Sequence, residues 1–548
     1  MNSTDLTQHR LHDRVVNALS TFGKLESAYQ TVTVAQLVSE RARTHGSTIA
    51  IDIFERGQRA TYSEMDRRSN QCAHALRAFG VRKGDHIGVM LPNRIEFPIL
   101  WFACAKLSAV LVAINMRYTS REVGYVLSDA QAKFAIVDES VWSVLSAMDP
   151  WPQDLAKERV ILVGQPSRET ATTLDELLKG ADESPVEEDV RPNDLLNIQY
   201  TSGTTGFPKG CMLTHDYWGV FTYQYALMDR RPYKAYLCWS PFSYVLGELL
   251  ILKSWLQGGT LYVAQHLSST RFVDWLKTYR IEWCPIPGPI AATADVASTN
   301  LKEAGMSGGV WNADTVRRFR ERFGVRGQNA YAMTEIGMGT QFPNDFEEMD
   351  ESGSVGILSP FREIRLVGDD GSPTPVGEIG ELWVKGRGIL LGYWNKPDAN
   401  AELFEGEWFK TGDLFRQDEF GFHWIVGRKK EMIRRSGENI AAREVESVIR
   451  EIPEIADVAA VPVHDDKRGE EVKIYVELHK GLRSADLPPE RILAHARARL
   501  ASFKVPRYIA FTSALPRTTT SNKVLKRELM DVGDPLSGAY DSEEERWR

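Results

Sequence analysis

The chain runs to 548 residues, well past one typical domain, so two or more hydrophobic cores are expected. Its net charge of −8 argues against nucleic acid or an anionic membrane surface as the main partner. The five cysteines (Cys72, Cys104, Cys211, Cys238, Cys284) form no Cys-x-x-Cys pair, so neither a zinc site nor a disulfide framework is indicated, and buried free thiols in a reducing compartment are expected.

Residues 1–14 are polar and lack the apolar segment of a signal peptide, and residues 1–30 read as a loosely attached lead-in. The longest apolar stretch, 97–114, is broken by Pro98, Lys106 and Ser108, so a cytoplasmic protein with no integral membrane segment is expected. Val34, Leu37, Val38 and Ala42 have helical spacing, and 49–54 reads as a strand. A helix opens at Thr61-Tyr62-Ser63-Glu64, with Ser63 as the expected cap and Asp66 three residues on, and runs to Gly80. Strands at 85–90, 110–114, 134–137 and 160–163 alternate with helical stretches such as 92–105. That alternation predicts a parallel sheet with helices on both faces. The acidic stretch 169–194 reads as a surface connection, and 195–198 as a short buried strand.

The pattern then repeats. Helices are expected at 217–227, 246–256, 272–279 and 315–323, strands at 236–239, 260–263 and 283–286, and a glycine-rich loop at 305–309. From Gly353 short strands at 364–367, 380–386 and 420–426 suggest a small β subdomain. Helices at 444–452 and 489–500 with strands at 458–463, 472–478 and 507–511 make an α+β module of ordinary domain size. The charged tail after Leu529 reads as disordered. The expected fold class is therefore α/β: a large body of two packed α/β subdomains plus a small β subdomain, then a small α+β domain.

The chemistry concentrates at Tyr200-Thr201-Ser202-Gly203-Thr204-Thr205-Gly206-Phe207-Pro208-Lys209-Gly210. Glycines let backbone N–H groups approach an anion, hydroxyls donate to phosphate oxygens, and Lys209 adds positive charge. It is not a Walker A loop, because Pro208 precedes Lys209 and Gly210 follows it. Against a flexible Ser/Gly/Thr linker stands the apolar strand before it.

This string resembles the phosphate-binding loop of the adenylate-forming superfamily, and further stretches fit the same family in order. Asn329-Ala330-Tyr331-Ala332-Met333-Thr334-Glu335 resembles its Tyr-Gly-x-Thr-Glu motif, with Ala332 in place of Gly. Ser307-Gly308-Gly309 resembles the adenine-side loop, followed by Val310-Trp311 in place of Ala-Pro. Thr411-Gly412-Asp413, Gly427-Arg428-Lys429-Lys430-Glu431 and Arg434-Arg435-Ser436-Gly437-Glu438-Asn439-Ile440 resemble the next three motifs. Pro516-Arg517-Thr518-Thr519-Thr520-Ser521-Asn522-Lys523 resembles the catalytic-lysine loop, one residue longer and with Asn522 for Gly.

The chain is identified on these residues as resembling an AMP-forming acyl-CoA synthetase of that superfamily, nearest the carnitine/crotonobetaine and alicyclic acid ligases. The resemblance implies ATP, Mg²⁺ and coenzyme A as reactants and cofactor, with a small-molecule carboxylate as the acyl donor. It implies catalytic roles for Lys523, Thr204 and Glu335, with Lys526 the less favoured lysine, and a metal held by Glu335 and Thr204. It implies ATP or AMP binding by Thr201, Ser202, Gly203, Thr205, Gly206, Lys209, Gly308, Gly309, Asn329, Ala330, Tyr331, Thr334, Asp413 and Arg428. Arg434, Arg435 and Gly437 would face coenzyme A. Tyr244 (where His is common), Trp311, Ala332 and Met333 would line an acyl pocket suited to a cyclic, aromatic or branched acid, and His215 would pack rather than catalyse.

The implied domains are an adenylation domain at 31–427, a hinge at 428–431 around Lys430, a mobile C-terminal domain at 432–530 and a tail at 531–548. A long-chain fatty acid substrate, transfer to a carrier protein or amine, light emission, an inactive nucleotide-binding homologue and a homodimer stay open.

Overall fold

The computed structural model describes residues 3–164, 172–201, 208–229, 231–293, 296, 298–307, 310–343, 346–435, 438–500, 502–517 and 523–548. The chain divides into two compact units. The first holds 1–364, 384–409 and 420–423, and the second holds 365–383, 410–419 and 424–548.

The first unit contains strands β1 (Ile49–Ile53), β2 (Gln58–Thr61), β3 (His86–Met90), β4 (Val110–Ala113), β5 (Phe134–Asp138), β6 (Val160–Val163), β7 (Leu195–Thr201), β8 (Lys209–Thr214), β9 (Ala235–Cys238), β10 (Thr260–Val263), β11 (Trp283–Pro287), β12 (Glu303–Ser307) and β13 (Arg326–Gln328). One sheet has the order β6-β5-β3-β4-β7-β8, parallel except for the antiparallel pair β7–β8. The other has the order β13-β12-β11-β9-β10-β1-β2, parallel except for β1–β2. These are the two α/β subdomains expected from the alternation. Strands β3 to β6 are buried along their whole length, as continuous apolar runs in a parallel sheet require. β14 (Tyr331–Met333), β15 (Gly337–Gln341) and β16 (Ile357–Leu358) form a small antiparallel sheet.

Three local expectations change. The lead-in is a helix, Ser3–Ala28, with Val15 and Phe22 buried and Arg14 paired with Glu348 at 2.7 Å. The cap of the Tyr62–Ala78 helix is Thr61, not Ser63: Thr61 accepts from the Glu64 N–H, and Glu64 accepts from the Thr61 N–H in return. Gly305 lies within β12, not in a loop. A side chain there would meet Trp283 and Tyr225, each 3.1 Å from its Cβ, so glycine serves close packing.

Strands β17 (Arg362–Val367), β18 (Ile379–Gly386), β19 (Phe404–Glu405), β20 (Trp408–Gln417) and β21 (His423–Arg428) follow Gly353, and the division between the units falls within β17, β18, β20 and β21. The second unit then holds β22 (Met432–Arg435), β23 (Glu438–Ala441), β24 (Ile455–Asp465), β25 (Gly469–Leu478), β26 (Tyr508–Thr512), β27 (Tyr540–Asp541) and β28 (Arg546–Trp547). They form one sheet in the order β23-β22-β25-β26-β27-β28, with β24 also on β25. The helices Ala442–Ile449 and Pro489–Arg497 bury Val445, Ile449, Ile492 and Leu493 in its core. The tail is thus not disordered but adds two strands to this sheet. All five cysteines are free and buried. No helix among the described residues is long and apolar enough to cross a membrane.

Candidate active site

β7 and β8 pair in register from Leu195↔Thr214 to Thr201↔Lys209, so Thr201 and Lys209 face each other where the glycine-rich loop begins and ends. Ser202, Gly203, Thr204, Thr205 and Gly206 lie outside the described residues. The outer edge of β8 is covered by 391–394: Met212 N–H donates to Gly392 O at 3.0 Å and Trp394 N–H to Gly210 O at 2.8 Å. This places the Tyr393 ring 5.1 Å from Lys209 Nζ. The Tyr393 hydroxyl donates to Glu335 Oε1 at 2.9 Å, and Leu390 N–H donates to Glu335 O at 2.8 Å. Glu335 is only 7% exposed. Lys209 and Glu335, distant in sequence, are therefore joined through one aromatic residue. Burial pushes the Cys211 thiol well above its ordinary value, the Glu335 carboxylate adds to this, and a hydrogen bond to Thr201 opposes it. A cation and a hydroxyl at one strand end suit phosphate oxygens, and carboxylate and hydroxyl oxygens are the hard donors that Mg²⁺ takes. Tyr393 was missed from sequence because an aromatic after a glycine carries no chemistry of its own.

Asn329 follows β13 directly. Its amide clamps one backbone segment, with Oδ1 accepting from Trp311 N–H at 2.9 Å and Nδ2 donating to Trp311 O at 3.1 Å. The Trp311 ring is 3% exposed and stands edge-on to Phe319 at 5.1 Å, which places it in the core rather than in an open acyl pocket. Ala330 and Thr334 are half-buried. Tyr331 is buried and donates to Met333 Sδ at 3.3 Å, while Ala332 is exposed and Met333 half-buried. Tyr331 lies over Gly339, where an added Cβ would come within 2.8 Å of the ring. Gly308 and Gly309 lie outside the described residues.

Tyr244 heads the Val245–Gln257 helix, and its hydroxyl accepts from Asn115 Nδ2 at 2.8 Å. Asn115 is held in turn by Arg117 N–H at 2.9 Å. Burial first, and Tyr244 second, push the Tyr118 phenol up to about 12. His215 is buried and its Nδ1 accepts from Val34 N–H at 3.2 Å, a packing contact.

In the second unit Asp413 and Arg428 pair at 2.9 Å from adjacent strands, with Asp413 buried and Arg428 exposed. Gly412 has φ of 70°, a conformation glycine adopts without strain, and its N–H donates to Glu381 Oε1 at 3.1 Å. Glu381 also holds Lys429 at 3.0 Å. Lys430 sits in the single turn Lys429–Glu431. β22 and β23 pair antiparallel from Met432↔Ala441 to Arg435↔Glu438, and Gly437 lies outside the described residues. Arg434 is 66% exposed, but Arg435 is turned inward onto Glu471 at 2.7 Å. Arg435 is therefore a half-buried cation held by a buried carboxylate rather than a second exposed one.

Lys523 is exposed. Lys526 is only 14% exposed and pairs with Glu446 at 2.7 Å and Glu431 at 2.9 Å, and the two carboxylates outweigh its burial and raise its ammonium. Lys526 is thus held by two carboxylates, whereas Lys523 is exposed.

Residues 38–394 match the AMP-binding enzyme family, and 444–522 match the AMP-binding enzyme C-terminal domain. The chain belongs to the AMP-binding enzymes. A feruloyl-CoA synthase from Amycolatopsis sp is 32% identical over 89% of this chain and 96% of its own length. A long-chain-fatty-acid–CoA ligase of Mycobacterium tuberculosis is 31% identical over 86% of this chain and 93% of its own. The o-succinylbenzoate coenzyme A synthetase of Bacillus subtilis, solved with ATP and magnesium ion, superposes with a TM-score of 0.78 at 26% identity, over 90% of this chain and 99% of that one. Within the family this chain is an AMP-forming acyl-CoA ligase.

Proposed function

We propose that the enzyme activates a cyclic, aromatic or branched acid of moderate size with ATP and transfers it to coenzyme A. The carboxylate attacks the α-phosphorus of ATP, pyrophosphate leaves, and the thiol then displaces AMP from the acyl-adenylate. A carboxylate is a poor acyl donor and AMP a far better leaving group than hydroxide, so most of the task is charge stabilisation. Lys523, Lys209, Thr204 and Thr205 meet the phosphates in this reading. Glu335, with Thr204, would hold Mg²⁺, whose charge offsets that of the phosphates.

Asn329, Ala330, Tyr331 and Thr334 border the adenine, and Asp413 with Arg428 the ribose. The exposed Arg434 and Gly437 receive coenzyme A, and Lys430 is the hinge between the domains 31–427 and 432–530. A cytoplasmic location belongs to the same reading and is supported by the five buried free thiols.

The observation that carries the substrate class is Tyr244, a bulky ring fixed by Asn115 at 2.8 Å at the head of its helix. A ring held in place limits the room for a long flexible chain and offers a flat wall to a planar or alicyclic acid. The feruloyl-CoA synthase likeness supports it. The test is acid-dependent pyrophosphate release over short, long, aromatic and alicyclic acids, with and without coenzyme A. Sustained turnover of aromatic or alicyclic acids only with coenzyme A is expected. Preference for long straight chains would overturn the substrate class, and release indifferent to coenzyme A would point to a carrier or amine acceptor.

A further inference from the structure

Arg362 opens β17 and is 5% exposed. Its guanidinium donates to backbone carbonyls from two separate stretches of chain. One stretch follows Glu335: Nη2 donates to Ile336 O at 2.5 Å and Nε to Met338 O at 3.0 Å. The other precedes Tyr393: Nη1 donates to Arg387 O at 2.5 Å and Nη2 to Gly388 O at 3.3 Å. Nη1 also reaches Phe361 O at 2.9 Å, and Nη2 the Gln224 amide oxygen at 3.4 Å. A planar fork of five N–H groups suits a ring of fixed acceptors as no other side chain does.

Both stretches meet at Glu335. It lies in the turn between β14 and β15, where Ile336 N–H donates to Met333 O at 3.2 Å. From the other stretch Leu390 N–H donates to its carbonyl at 2.8 Å, and the Tyr393 hydroxyl to its carboxylate at 2.9 Å. Arg362 therefore closes a loop of contacts around this carboxylate. The start of β17 is itself held by Glu26, whose Oε1 accepts from Phe361 N–H at 2.5 Å.

This arrangement is costly. Carbonyls and one amide surround the Arg362 charge, and among the described residues no carboxylate forms an ion pair with it. Burial pushes the guanidinium down to about 10, with the Tyr217 phenol and the Glu26 carboxylate opposing this. An apolar side chain would pack there without that penalty, so packing alone does not account for an arginine.

We propose that Arg362 is a positioning residue for the adenylation step: it ties the Glu335 turn to the 387–393 stretch, so that the Glu335 carboxylate and the Tyr393 hydroxyl keep one orientation toward Mg²⁺. This rests on the reading that Glu335 holds Mg²⁺. Lysine at 362 keeps the charge but has one nitrogen in place of the fork, so it cannot bridge the two stretches. Glu335 then samples other orientations, and the metal binds less well although every group that binds it is still present.

The test uses the full-length enzyme and reads pyrophosphate release against Mg²⁺ concentration, at fixed ATP and acid. Thioester formation from supplied adenylate reads the other step. Arg362→Lys is expected to raise the Mg²⁺ concentration for half-maximal rate about fivefold or more. The rate at saturating Mg²⁺ should stay within about threefold, and thioester formation within about twofold. Combined with Tyr393→Phe, it should shift the Mg²⁺ dependence no further than the larger single change, because both act through one carboxylate. Glu26→Ala, at a half-buried position, should shift it about twofold in the same direction, and it carries the test if Arg362→Lys does not fold. An unchanged Mg²⁺ dependence in R362K (or in E26A, where that variant stands in), equal loss in both steps, or shifts that multiply in the double variant would overturn the inference. Glu335→Gln separates it from the reading beneath it. If E335Q leaves the Mg²⁺ dependence unchanged, that reading fails and the inference with it; a shift in E335Q without one in R362K sinks the inference alone.

Discussion

Two hairpins of the molecule, β7–β8 and β22–β23, use one device on different supports. Each is an antiparallel pair whose connecting sequence contains glycine and is flanked by basic residues, Lys209 in one and Arg434 and Arg435 in the other. β7 is buried over most of its length, and its partner is braced by backbone bonds to 391–394 and by the Tyr393–Glu335 bond. β22 is only partly buried, and its last residue is anchored by ion pairs. The first support is apolar and hydrogen-bonded, so it is rigid and indifferent to salt. The second is electrostatic and shared among several carboxylates, so it yields to charge changes well away from the turn.

The comparison is tested most strongly by the two neighbouring lysines. Lys523→Ala is expected to lower adenylate formation by about a hundredfold or more while sparing thioester formation from supplied adenylate. Lys526→Ala is expected to act on stability instead, by roughly 2 kcal/mol in denaturant titration, because it strands Glu431 and Glu446. Equal effects on the two steps from Lys523→Ala would remove its assigned role.

Next in size is Tyr393→Phe. Losing the hydroxyl that orients Glu335 is expected to lower adenylation about tenfold at limiting Mg²⁺ and less at saturation, measured as pyrophosphate release against Mg²⁺ concentration. An unchanged Mg²⁺ dependence would show that the bond orients nothing.

Acid should then act on the first hairpin through His215, the residue after β8. Burial pushes its imidazole down to about 4 from an ordinary 6.5, with Asp194 opposing this and Lys83 reinforcing it. The folded state therefore takes up its proton later than the unfolded chain. The stability contribution is intact above about pH 6.5 and falls as pH drops toward 4, by up to about 3 kcal/mol. Urea midpoints across that window should fall less steeply in His215→Asn. Salt should do the converse. Molar NaCl is expected to weaken hydrogen-exchange protection of β22–β23 by up to about 1 kcal/mol and to leave β7–β8 unchanged. The smallest effect expected is Tyr244→Phe, which frees Asn115 and should shift KM for the acid about threefold with little change in kcat.

Much of this was legible in the sequence, for reasons that differ by region. Strands such as 160–163 and 260–263 were readable because apolar runs bounded by turn residues have few other fates. The helix cap was not, because Thr61 with Glu64 and Ser63 with Asp66 offer the same spacing. The end of β2, which pairs Thr61 with Ile49, selects the first. The tail was misread because a run of charges looks alike whether solvated or paired with Arg468 and Arg507. Arg435 was misread for the same reason: sequence shows a cation but not the buried Glu471 that claims it. Tyr393 was invisible because its role depends on Lys209 and Glu335 meeting in space.

We propose that these two hairpins serve two different half-reactions. Gly437→Leu, assayed separately for acyl-adenylate formation and for thioester formation from supplied adenylate, separates the two. We predict adenylate formation within about threefold of the unaltered enzyme and thioester formation reduced about a hundredfold or more, since a side chain there blocks the approach of the pantetheine arm. Loss of both steps together, or thioester formation at the unaltered rate, would contradict it.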